Sequence, residues 1–118
     1  MLIDDNRDVR RSLNLFLGTF AEFEVVALAA SGPQAVALAR WHHPDVALLD
    51  MHMPGMDGYA TLRALRAACP TLAVVMLTGM ADDEQVRRCL SGGAAHFVRK
   101  NAPVQVLVSA IRQSVPSA

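Results

Sequence analysis

The sequence predicts a doubly wound α/β domain with a five-stranded parallel sheet. Three observations carry this: five short apolar or β-branched runs, a helical pattern after each of them, and turn chemistry at the junctions. Because the runs are apolar throughout rather than alternating, the strands are expected to be covered by helices on both faces. The first run is Met1-Leu2-Ile3. Val9, Leu13, Phe16, Leu17 and Phe20 then recur at helical spacing. Phe23 to Ala29 is the second strand, and Ser31-Gly32-Pro33 opens a helix that His43-Pro44 closes. Val46 to Leu49 is the third strand; Asp57-Gly58 opens the following helix and Cys69-Pro70 ends it. Leu72 to Leu77 is the fourth strand, followed by a helix capped by Asp82-Asp83 and terminated by Gly92-Gly93. His96-Phe97-Val98 is the fifth strand. Val104, Leu107, Val108 and Ile111 mark the last helix, with Pro103 suited to its first turn. For five strands built this way the expected order is the flavodoxin-like 2-1-3-4-5. Residues 1–118 form one domain, and residues 113–118 read as the start of a tail or linker.

Bulk properties narrow the function. At 53% apolar and 19% charged residues the chain can bury a core. Eleven acidic and eleven basic residues cancel, so no whole-domain charge points to nucleic acid or membrane. No apolar run approaches a membrane span. Cys69 and Cys89 lack metal-ligand spacing and read as small apolar residues of a reducing cytoplasm. The basic residues are ten Arg and one Lys, Lys100.

In such sheets functional groups gather just past the carboxyl ends of the strands, at the switch in strand order. Here the first strand ends in Asp4-Asp5, the third in Asp50, the fourth in Thr78-Gly79 and the fifth in Arg99-Lys100. Each group alone has an ordinary explanation: an Asp pair caps turns, a Thr ends strands, a Lys is solvated. Four strand ends presenting them on one rim is a coincidence that calls for chemistry. Three converging carboxylates repel, and a divalent cation resolves the conflict; an oxygen-only set suits Mg²⁺, or Mn²⁺. With Lys100 and Thr78 beside it, such a site would cage a phosphoryl group, and Asp50 would be the nucleophile forming an aspartyl phosphate.

These markers, Asp4-Asp5, the stretch DMHMPGMDG over residues 50–58, Thr78 and Lys100, resemble those of the receiver domains of bacterial two-component response regulators. The resemblance covers essentially the whole chain. It implies that Asp50 is the phosphoacceptor and that Asp5 and Asp50 ligate Mg²⁺ through their side chains. Asp4 would hold the metal through water, and the His52 main-chain carbonyl would complete the protein set. Lys100 would pair with the phosphoryl group. Thr78 and Phe97 would be the switch residues, remodelling the face formed by the fourth helix, fifth strand and fifth helix. Phe97 as plain core is an equal alternative. The implied partners are a sensor histidine kinase or phosphotransfer protein and, after phosphorylation, a second copy. DNA would be reached only through an output domain outside these residues. The domain would be no enzyme beyond its own phosphorylation and dephosphorylation.

Three features depart from the family pattern. The first strand has only three residues before the acids, which suggests a truncated start. Asn101 follows Lys100 where many receivers have Pro, and residues 97–103 resemble receivers of the NarL/FixJ type. His52 and Met80 occupy positions that tune dephosphorylation. Two rivals use the same residues: a pseudo-receiver that never accepts phosphate, and a haloacid-dehalogenase-type phosphatase. The latter wants a second Asp two residues after the nucleophile, where His52 stands.

Overall fold

The computed structural model describes residues 1–53, 56–79 and 82–115. Five parallel strands, β1 (Leu2–Ile3), β2 (Leu28–Ala29), β3 (Val46–Asp50), β4 (Ala73–Thr78) and β5 (His96–Arg99), form one sheet in the order β2-β1-β3-β4-β5, as the sequence predicts. Helices α1 (Arg7–Leu17), α2 (Gly32–His42), α3 (Gly58–Ala68), α4 (Asp83–Ser91) and α5 (Val104–Ser114) connect and cover it.

Side-chain alternation along the strands divides the core into two. Ile3, Ala47, Leu49, Val74 and Met76 meet Ala35 and Ala39 of α2, Leu62 and Leu65 of α3, and Cys89 of α4. Leu2, Leu48, Val75 and Leu77 turn to the other face, against Leu17 of α1 and Leu107, Ala110 and Ile111 of α5. Strands buried on both sides must be apolar at successive positions, which is why the sequence shows runs rather than alternation.

Local chemistry sets the ends of the helices. Ser31 caps α2 by accepting from the Gln34 N–H, and His43 closes the helix in the left-handed region at φ 49°. Asp57 caps α3 through the Tyr59 N–H. Asp82 and Gln85 form a reciprocal capping box at α4, whose end is followed by Gly93 at φ 111°.

Several boundaries differ from expectation. Residues 23–27 are not strand, because the only neighbour of β2 in the sheet is β1, which pairs Leu2 and Ile3 with Leu28 and Ala29. Phe20 lies beyond α1, which Gly18 closes; its ring instead sits between Phe16 and Phe23, at 5.3 and 5.4 Å, as an apolar cover under the turn. Pro103 precedes α5, at the N-cap position, rather than entering its first turn. Ahead of α3, a short antiparallel ladder pairs His52 with Asp57 and Met53 with Met56, while Pro54 and Gly55 lie outside the described residues. The expected tail start at Gln113 falls within the last turn of α5, and residues 116–118 lie outside the described residues.

One glycine in this region is fixed by close approach. A Cβ on Gly58 would lie 2.6 Å from the Met51 carbonyl oxygen and 2.8 Å from its Cα. The start of α3 therefore packs directly on the backbone leaving β3. Gly58→Ala is expected to cost about 1–3 kcal/mol through overpacking, read as a lowered midpoint in urea unfolding.

Candidate functional site

Parallel strands of matched register bring their carboxyl ends to one rim. Asp50, the last residue of β3, pairs with Leu77; Thr78 ends β4 and pairs with Arg99. Two main-chain bonds tie the rim together: the Met51 N–H donates to the Leu77 carbonyl at 2.8 Å, and the Lys100 N–H to the Thr78 carbonyl at 2.6 Å. Asp4 and Asp5 follow β1 directly.

The acidic groups meet here. One carboxylate oxygen from each of Asp4, Asp5 and Asp50 lies within 4.8 Å of the others. Asp4 and Asp50 are buried, at 3% and 4% exposure, whereas Asp5 opens to solvent. The Lys100 ammonium reaches in from the loop after β5, 3.2 Å from Asp50 Oδ1 and 3.7 Å from Asp4 Oδ2. Asp50 Oδ1 also accepts from the His52 N–H at 3.2 Å. Asp4 Oδ1 accepts from the Asn6 N–H at 2.9 Å, while Asp4 Oδ2 is buried and accepts no hydrogen bond. With all three acids ionised, one ammonium leaves the cluster net negative.

Burial pushes the Asp4 carboxyl above the usual carboxylate range, and the nearby Asp50 and Asp5 charges add to the rise; the Asn6 N–H and Lys100 oppose it. The folded state therefore holds the Asp4 proton more tightly than the unfolded chain. Its favourable contribution is full below the unfolded value of 3.8 and is lost as pH rises through the higher folded value. In metal-free protein, the stability of Asp4→Asn relative to wild type is expected to grow with pH across that window, measured by thermal unfolding of both proteins at each pH. A flat difference would refute the assignment.

The donor set fits a hard divalent cation. All ligating atoms are oxygens, one carboxylate faces solvent, and a buried carboxylate oxygen lacks a hydrogen-bond donor. The imidazole of His52 is exposed. Thr78 is fully buried. It stands two residues beyond Met76, on the face of the sheet that α2, α3 and α4 cover. Phe97 pairs with Met76 and packs, half-buried, against the same side of the core. Met80 lies outside the described residues.

Sequence reasoning missed the scaffold around Asp4. Asn6 caps α1, accepting from the Asp8 and Val9 N–H groups, while its own N–H holds Asp4. Arg10 donates to the Asp4 carbonyl at 2.7 Å. An Asn directly ahead of a helical pattern was the available signal for the first; nothing in the spacing marked the second.

A doubly wound parallel sheet with a carboxylate cluster at its switch point defines a class of ligand-handling α/β domains. The chain belongs to one family within it, the response regulator receiver domain, whose model matches residues 1–112. It is similar to the response regulator protein VraR of Staphylococcus aureus, 32% identical over 114 residues, which are 97% of this chain and 54% of that protein. The chain thus spans about half the length of the curated relatives it matches. Among solved structures, it is similar to a LuxR-family two-component response regulator from Aurantimonas sp. SI85-9A1 (27% identity, TM-score 0.90, covering 96% of this chain and 81% of that one). It is also similar to the signal receiver domain of the response regulator NarL from Mycobacterium tuberculosis, at 32% identity and TM-score 0.83, covering 95% of this chain and 90% of that one. The domain is therefore a receiver of two-component signalling, and the NarL/LuxR-type likeness agrees with the sequence expectation. Among the described residues, no helix is long and apolar enough to cross a membrane.

Proposed function

We propose that this domain accepts a phosphoryl group on Asp50 from a histidine kinase or histidine-containing phosphotransfer protein in the cytoplasm. The observation that supports this most is the Lys100 ammonium 3.2 Å from the buried carboxylate that ends β3, with Asp4 and Asp5 beside it.

The His52 N–H and Lys100 both engage Asp50 Oδ1 and so fix the carboxylate's orientation on its rigid strand. The Asp50 carboxylate attacks the phosphorus of the donor phosphohistidine; the new P–O bond forms as the P–N bond breaks, and the imidazole leaves. Lys100 sits where it neutralises charge on the phosphoryl oxygens, and the Thr78 hydroxyl, at the neighbouring strand end, donates to one of them. Asp5, Asp50 and the His52 carbonyl, with Asp4 acting through water, would hold a Mg²⁺ or Mn²⁺ ion, which would supply the remaining charge neutralisation.

The signal then passes through Thr78 and Phe97. They share one face of the sheet, so a Thr78 hydroxyl drawn to the phosphoryl group vacates space towards Phe97 and biases the face formed by α4, β5 and α5. That face would control a transcriptional output domain, as the LuxR-family likeness suggests, and could pair two phosphorylated copies.

Incubation with acetyl phosphate and Mg²⁺, followed by intact mass, tests the reading. One phosphoryl increment per chain, absent with EDTA, is expected. No increment under conditions that label other receivers would favour a pseudo-receiver.

A further inference from the structure

Asp5 reaches the acidic cluster from a bend between β1 and α1, and its carboxylate is open to solvent while Asp4 and Asp50 are buried. Where that carboxylate points depends on the two peptide groups that flank it. Both are tied down. The Asn6 N–H donates to Asp4 Oδ1 at 2.9 Å, and the Asp4 carbonyl accepts from Arg10 Nη1 at 2.7 Å.

Arg10 grips the bend from one turn into the helix. Its N–H donates to the Asn6 carbonyl at 3.1 Å, which starts the hydrogen-bond ladder of α1. Helical side chains lean towards the N-terminus, and this carries the guanidinium back across the bend. Of the three arginines on α1, Arg7 and Arg11 are exposed and Arg10 is half-buried, so it is Arg10 that packs inward. The sheet explains why a side chain is needed. Asp4 donates to Ala29 at 3.0 Å, and continuing that parallel pattern would bring the Ser31 N–H to the Asp4 carbonyl. β2 ends at Ala29, however, and Ser31 serves as the N-cap of α2. Among the described residues no main-chain N–H donates to that carbonyl. Arg10 supplies the donor, with a charge that strengthens the bond.

We propose that Arg10 is a positioning residue for cation binding: its bond to the Asp4 carbonyl fixes the bend so that Asp5 offers its carboxylate already in place. The inference rests on the reading of the cluster as a Mg²⁺ or Mn²⁺ site, which the buried Asp4 Oδ2, lacking a hydrogen-bond donor, supports. Two effects of Arg10 oppose each other. Its positive charge disfavours a cation, but solvent screens it at this half-buried position. Its hold on the bend favours the cation, because Asp5 need not be ordered on binding. Partners that orient ligands in this way are worth about 10–100-fold in metal affinity, so positioning outweighs repulsion.

Mn²⁺ binding to unphosphorylated protein, followed by the electron paramagnetic resonance of the free ion, tests this, with Mg²⁺ and Ca²⁺ measured as competitors. Arg10→Met keeps the apolar stem and loses the donor, whereas Arg10→Lys keeps a charged donor. Arg10→Met is expected to weaken Mn²⁺ and Mg²⁺ by about tenfold or more and Ca²⁺ by clearly less, because Mg²⁺ demands near-octahedral ligands and Ca²⁺ tolerates irregular ones. Arg10→Lys is expected to recover part of the loss. Unchanged Mn²⁺ binding in Arg10→Met, with only the unfolding temperature lowered, would overturn the proposal in favour of a purely structural role. Tighter binding would overturn it in favour of a purely electrostatic one, and so would an equal loss for Mg²⁺ and Ca²⁺ in favour of general loosening. Asp5→Asn separates the inference from the reading beneath it. Wild type that binds Mn²⁺ no better than Asp5→Asn would overturn both, whereas binding lost in Asp5→Asn and kept in Arg10→Met would remove Arg10 alone.

Discussion

Asp50→Asn is expected to abolish phosphoryl incorporation from acetyl phosphate, with the rate falling by about three orders of magnitude or more, because a carboxamide is not a usable nucleophile. The substitution is close to isosteric, so the fold around it is preserved. Asn keeps an oxygen for the His52 N–H and removes one of three clustered negative charges. The metal-free variant is therefore expected to unfold at the wild-type temperature or above it. Intact mass and thermal unfolding on the same sample separate the two effects. A variant that failed to label and also melted far below wild type would have lost its fold, not only its acceptor.

Lys100→Ala is expected to give the second large effect. Its ammonium is the cation that faces both Asp4 and Asp50, and removing such a preorganised charge typically slows the supported step by about 10²–10³-fold. The side chain is 38% exposed, so its loss opens no cavity in the core. It does leave the carboxylates facing one another with less compensation, so metal-free Lys100→Ala is expected to melt lower than wild type and to recover part of the difference in Mg²⁺. Lys100→Arg restores charge but not shape, since a planar fork replaces a point charge, and partial recovery of the labelling rate is expected. Labelling at the wild-type rate in Lys100→Ala would remove Lys100 from the chemistry.

The site was more legible than the fold's boundaries, for a physical reason. Strand ends in a doubly wound sheet are forced onto one rim, so Asp4, Asp5, Asp50, Thr78 and Lys100 could be brought together from order alone. Apolar periodicity is blunter. It continued through Phe20 and through residues 23–27 because Phe20, Phe23, Val25 and Ala27 pack on one another or on the core, yet beyond the Ala27 carbonyl, which accepts from the Leu2 N–H, neither stretch is part of a helix or strand. Asp57-Gly58 was readable as a helix start, but the reason Gly58 must be glycine, its approach to Met51, is a tertiary fact. The same holds for Arg10, whose bond to the Asp4 carbonyl helps fix the first carboxylate through a contact six residues along the chain.

The most direct test locates the phosphoryl group itself. An aspartyl phosphate is a mixed anhydride, and borohydride reduces its acyl carbon, converting that aspartate to homoserine. Protein treated with acetyl phosphate and Mg²⁺, reduced and mapped by peptide mass spectrometry, should carry homoserine at position 50 and at no other aspartate. Homoserine at position 4, 5 or 57, or a stable phosphate ester on Thr78 with residue 50 unchanged, would contradict the assignment of Asp50 as the acceptor.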